Sequence, residues 1–157
     1  MTDFEALFGA LAEVEYVLVG GVAAAVHGSV RLTQDVDIVY RRSDENLRRL
    51  EEALASCHPY PRGAPAGLPF EWSEKTLRSG LNFTLTTDIG AIDLLGEVVG
   101  GGAYESLLAE SEPVELFGHR VMCLGLEALI EVKRAAGRPK DNEVVAELEV
   151  LKEEREQ

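Results

Sequence analysis

Hydrophobic and polar positions change period several times along the chain, and each change marks an element. Phe4, Leu7, Phe8 and Leu11 recur at helical spacing, which predicts a first helix over 3–12. The unbroken apolar run YVLVG, 16–20, predicts a buried strand. GVAAAVHG, 21–28, predicts a short helix whose alanines allow close packing on a sheet. DVDIVY, 35–40, predicts a second strand, and Ser43 is a suitable N-cap for a helix reaching about Ala55, with Leu47, Leu50 and Leu54 toward the core.

The texture then changes. HPYPRGAPAGLPF, 58–70, holds four of the six prolines and predicts a long surface loop with no regular element. LNFTLTT, 81–87, and AIDLLG, 91–96, flank a turn and predict a β-hairpin. YESLLAE predicts a short helix, and PVELFGHRVMCL a small hairpin turning at Gly118. LEALIEVKRAA, 126–136, is amphipathic and stops at Gly137, Pro139 blocks its continuation, and Asp141 is expected to cap a last helix running into a solvated acidic tail. This order predicts an α+β fold, a central mixed sheet with helices against it. It reads as one domain over 1–157, with a core at about 14–97 and a C-terminal helical part at about 125–152.

Composition narrows the function classes. Of 157 residues, 46% are hydrophobic and 27% charged, as in ordinary globular proteins. No apolar run reaches the ~20 residues of a membrane span. The first residues carry acids where a secretion signal carries bases, so a cytoplasmic location is expected. A net charge of −13 disfavours holding nucleic acid through a broad basic surface, suits the collection of divalent cations, and leaves a local grip on one nucleic-acid end open. Cys57 and Cys123 make no disulfide framework, and Cys57-His58 with His119 and Cys123 lacks zinc-finger spacing. A lone His27 reads as a packing or hydrogen-bonding residue.

The chemistry concentrates in GGVAAAVHGSVRLTQDVDIV, 20–39. Alternation along a strand puts Asp35 and Asp37 on one face and Val36 and Ile38 on the other. Two carboxylates so close repel, and a divalent cation relieves this. Mg²⁺ takes oxygen ligands, commonly one or two carboxylates plus substrate phosphates. An Asp-x-Asp alone also occurs in turns and at exposed strand ends. Here it follows a buried strand that runs into Gly20-Gly21 and a helix start. That junction is either a tight strand-to-helix turn or a place where freed amides meet phosphate oxygens. Asp93 is a third acid within an apolar strand. It either reaches solvent or an arginine, or completes a two-metal site.

Taken together, Gly20, Gly21, Arg31, Thr33, Asp35, Asp37 and the later Asp93 resemble the pattern of the nucleotidyltransferase superfamily typified by DNA polymerase beta. More narrowly, the chain resembles the minimal nucleotidyltransferases around the AbiEii-type toxins. Their closing Lys-x4-Arg-x-Lys-Asp motif is matched by Lys133, Arg138, Lys140 and Asp141. The resemblance runs from about Tyr16 to Leu151 and departs at Gln34, where the group often has lysine, and in the stretch with the proline-rich loop between Asp37 and Asp93, where nothing matches. It implies the nucleotidyltransferase fold and Mg²⁺- or Mn²⁺-dependent transfer of a nucleoside monophosphate from an NTP. The acceptor would be tRNA, a protein hydroxyl or a small molecule. Asp35, Asp37 and Asp93 would hold the metals, and Asp93 would also orient or deprotonate the acceptor. Gly20 and Gly21 would cradle the phosphates. Arg31, Thr33, Lys133, Arg138 and Lys140 would attend the nucleotide. A toxin–antitoxin context would add a cognate partner protein. The alternative is a non-catalytic nucleotide- or partner-binding module of a two-component system.

Overall fold

A computed structural model describes residues 1–157. Helix α1, Phe4–Ala10, is capped by the Asp3 side chain and buries Leu7 and Phe8. Strand β1, Tyr16–Val19, is buried at every position and runs straight into α2, Gly20–Val26. Strand β2 is Asp35–Tyr40, and α3, Asp44–Ala55, starts at Ser43 and buries Leu47, Leu50 and Leu54. β3, Tyr60–Pro61, and α4, Glu74–Ser79, lead to the hairpin of β4, Phe83–Thr87, and β5, Gly90–Leu95. A two-stranded ribbon of β6, Glu97–Val98, and β7, Gly102–Ala103, precedes α5, Tyr104–Leu108. A second hairpin, β8, Ser111–Leu116, and β9, His119–Leu124, is followed by α6, Leu126–Ala136, and α7, Pro139–Arg155.

Seven strands form one mixed sheet in the order β3-β4-β5-β2-β1-β9-β8, with helices against it and two helices closing the chain. This is the α+β architecture expected from the sequence. The centre is buried on both faces, and one apolar cluster of 31 residues runs through it. β1 is antiparallel to β2, while β2 is parallel to β5 and β1 to β9. No helix is long and apolar enough to cross a membrane.

Two expectations are corrected, and one element lies where none is predicted. The proline-rich segment does contain a regular element. Tyr60 pairs with Thr86 and Pro61 with Leu85, which makes β3 an edge strand. Proline is tolerated there because the missing N–H faces no partner, and Pro113 on the opposite edge strand β8 obeys the same rule. Helix α4 is the element that was not expected. Ser73 caps it, and it buries Leu77, one apolar residue being too weak a periodic signal. The second correction is that Asp141 is not the N-cap of α7. The N-cap is Arg138, Pro139 opens the helix, and Asp141 sits at its third position, where its carboxylate accepts from the Arg138 backbone N–H.

Candidate functional site

Sheet register builds the acidic part of the site. β2 and β5 run parallel with Asp37 opposite Asp93, and Asp35 lies two residues before Asp37 on the same face. Carboxylate oxygens of Asp35, Asp37 and Asp93 therefore lie within 4.8 Å of one another. No other group of three or more histidines, cysteines or acids converges in this way. Cys57 and Cys123 are free and buried, and burial pushes the Cys123 thiol up to about 12.

The double glycine is explained by close approach. Gly20 has φ +70°, and a Cβ there would overlap the Asp37 carboxylate. A Cβ on Gly21 would lie 2.7 Å from Thr33 Oγ1. The β1–α2 turn thus gives the acid and the threonine their space. Val19 supplies no side-chain cap to the first amides of α2. Thr33 in turn donates to the Asp35 carbonyl at 3.2 Å, which ties the end of the α2–β2 loop to the start of β2.

Every nominated residue except Gly20 lines one cleft of about 560 Å³, whose walls also include Ser29, Leu32 and Asp141. Gly20 is buried beneath Asp37. The cleft brings residues from the α2–β2 loop, β2, β5, α6 and α7 to one place, although they span positions 21 to 144.

The acids are under-compensated. Asp37 is pushed up to about 7, first by burial, then by the charge of Asp93 and a proton shared with it, then by Asp35; Lys133 acts in the opposite sense. Asp37 Oδ1 and Asp93 Oδ1 are buried and receive no hydrogen bond. Carboxylates whose oxygens lack donors and whose charges repel fit a hard cation, so the triad could hold a metal ion.

The cations at the rim differ. Arg31 pairs with Glu143 at 3.4 Å and Glu147 at 3.5 Å, both on α7. Arg138 Nε donates to Asp141 at 2.6 Å, and Lys133 Nζ lies 3.8 Å from the same carboxylate. Asp141 is 1% exposed. Burial would raise its carboxyl, yet the hydrogen bonds and charge of Arg138, with Lys133, hold it below the ordinary value. Lys140 is exposed and forms no ion pair. His27 is buried away from the chemistry, with Nε2 donating to the Leu124 carbonyl at 2.8 Å and Nδ1 accepting from Arg155 at 3.1 Å.

Sequence reasoning missed Arg62. It follows β3 directly, and its guanidinium enters the acid cluster, with Nη2 2.9 Å from Asp93 Oδ1 and Nη1 3.5 Å from Asp35 Oδ2. A single arginine in a proline-rich stretch carries no periodic or motif signal. Only the pairing of β3 with β4 delivers it. No protein-family model matches this chain, and no curated protein matches it.

Proposed function

We propose that this chain is a divalent-cation-dependent nucleotidyltransferase that moves a nucleoside monophosphate from an NTP to an acceptor hydroxyl. The observation that carries this reading is the convergence of Asp35, Asp37 and Asp93, with two buried oxygens lacking donors, on a cleft rimmed by cations. The resemblance of the residues from Gly20 to Asp37, of Asp93 and of the Lys133–Asp141 motif to the minimal nucleotidyltransferases supports it.

Asp35, Asp37 and Asp93 would hold Mg²⁺ or Mn²⁺. The ion would supply charge neutralisation for the phosphates and for the attacking and leaving oxygens. The residues of the chain do the rest by position and charge. The acceptor hydroxyl oxygen forms its bond to the α-phosphorus, and the bond from that phosphorus to the bridging oxygen breaks. Pyrophosphate leaves with the electron pair. Asp93 orients the hydroxyl and takes its proton. Lys133 lines the same cleft and its charge acts on Asp37, and Lys140 at the mouth offers an unpaired point charge to the leaving phosphates. The Gly20-Gly21 turn keeps the backbone low enough for phosphate to approach Asp37. The acceptor class is a tRNA end, a protein hydroxyl or a small molecule, and a cognate partner protein of the antitoxin kind fits the same reading.

The test is incubation of the protein with each α-labelled NTP, Mg²⁺ and a cell extract. Label is expected on one class of acceptor. Asp35→Asn and Asp37→Asn are each expected to lose transfer and divalent-dependent NTP binding by roughly 100-fold or more, beyond what loss of a supporting outer group does to a metal site. NTP binding without transfer would favour the non-catalytic module. Absence of both binding and transfer would overturn the nucleotide reading.

A further inference from the structure

Arg62 is held as if built to stand among the acids. Its backbone N–H donates to Thr84 O at 2.9 Å, continuing the β3–β4 pairing by one residue. Its Nη2 donates to Leu85 O at 2.7 Å. The segment beyond is pinned as well. Tyr60 bonds the Pro65 carbonyl through its hydroxyl and packs edge-on against Phe70 at 6.1 Å, while Ala64 N–H returns to Pro61 O at 3.3 Å. The guanidinium is therefore delivered by the sheet edge and not by a wandering loop.

Its hold on the acids is one of charge more than of hydrogen bonding. Nη2 is 2.9 Å from Asp93 Oδ1, yet the hydrogen bond it makes is to Leu85 O, and Asp93 Oδ1 receives no aligned donor. Arg62 Nε is buried and has no acceptor. A side-on arginine–carboxylate fork through Nε and Nη2 would leave neither atom orphaned. The arginine brings one positive charge to three carboxylates, and the two it approaches, through Asp35 Oδ2 and Asp93 Oδ1, belong to the same convergent triad that would bind a metal. A divalent ion brings twice the charge and sits at about 2.0–2.1 Å from its oxygens for Mg²⁺. It and the guanidinium cannot both occupy that edge without cation–cation repulsion.

We propose that Arg62 is a resident counter-cation that competes with the divalent ion for the Asp35–Asp93 edge, holding the carboxylates together in the metal-free protein and yielding them when the ion is bound. The proposal rests on the metal reading above and adds its regulation. Affinity for the free ion is kept low by an internal competitor, so the site fills best when anionic phosphates arrive with the ion and offer Arg62 another partner.

Free Mn²⁺ is the probe, counted by its solution paramagnetic resonance signal without nucleotide, for wild type and Arg62→Gln. The variant is expected to bind Mn²⁺ tighter by roughly thirtyfold, the water-screened value for a divalent ion relieved of one unit charge about 4 Å away. In EDTA the variant melts below wild type, and Mn²⁺ raises its Tm by more. Equal affinities overturn the competition while leaving the metal reading intact, as does weaker binding by the variant, which would make Arg62 a supporting group. Binding by neither protein removes the metal reading and this proposal together. Should Arg62→Gln not fold, the Arg62 Nε–H resonance of wild type decides. Its exchange with water is expected to quicken along the Mg²⁺ saturation curve, and ion binding that leaves it unchanged overturns the proposal.

Discussion

On the sheet side of the cleft, Asp35, Asp37 and Asp93 face one another with one arginine among them. On the helix side, Arg31, Lys133 and Arg138 each stand within ion-pair distance of an acid on α7. The difference lies in what places each group. Strand register puts Asp37 opposite Asp93 and gives two short side chains no means of turning apart. Arginine and lysine have long stems and rotate onto the nearest carboxylate. α7 offers Asp141, Glu143 and Glu147. Backbone geometry can keep repulsion in a fold, whereas side-chain freedom removes it. Unsatisfied charge thus collects on the sheet, where a cation is wanted, and the rim retains only Lys140 free of a partner.

The most severe way to break the acid wall is Gly20→Ala. A left-handed φ with a methyl against Asp37 is expected to destabilise by about 2–4 kcal/mol and to displace the carboxylate. Gly118→Ala, at φ +79° with open space around it, carries the conformational strain alone. If the two melt alike, close approach to Asp37 is not what Gly20 provides.

Asp37 sharpens the comparison through pH. Its carboxyl stands near 7 in the folded, metal-free protein against an ordinary 3.8, so the native state holds the extra proton. That stabilisation is complete below about 4 and is lost as pH rises through 7. In EDTA, wild type should lose several degrees of Tm between pH 5 and 8 from this group, at roughly 2–4 °C per kcal/mol for a chain of this size. Asp37→Asn should not show this loss and should melt higher than wild type at pH 8. Parallel curves for the two proteins would assign the titration elsewhere.

The rim responds less. Arg138→Gln leaves the buried Asp141 with the more distant Lys133 and its backbone bond, for an expected loss of about 1 kcal/mol after screening of the half-exposed arginine. Lys140→Gln should change stability by less than about 0.5 kcal/mol, as for a free surface residue, yet weaken NTP binding. A large stability loss at Lys140 would erase the distinction between paired and unpaired rim cations. Both are read by thermal melting.

Much of the fold was legible because its signals are local. Period and capping marked α3 at Ser43, and the unbroken apolar run marked β1. The α7 start was misread because Asp141 is a good cap by type, while Pro139 sets the first turn two residues earlier. α4 and β3 were missed for lack of a repeating apolar pattern. In the site, Asp35 and Asp37 share a face by strand alternation alone, which no tertiary contact can alter.

The amino-acid sequence by itself determined that two acids point together from an apolar strand, that a double glycine precedes them, and that the chain forms a mixed sheet with helices. Those are consequences of side-chain alternation, backbone freedom and apolar period. Only the tertiary structure decided that Asp93 lies at the register of Asp37, that the methyl-free Gly20 makes room for that carboxylate, that three rim cations are spent on α7, and that Arg62 enters from the sheet edge. These depend on which strands pair and on which long side chains meet, and pairing across tens of residues leaves no local period to read.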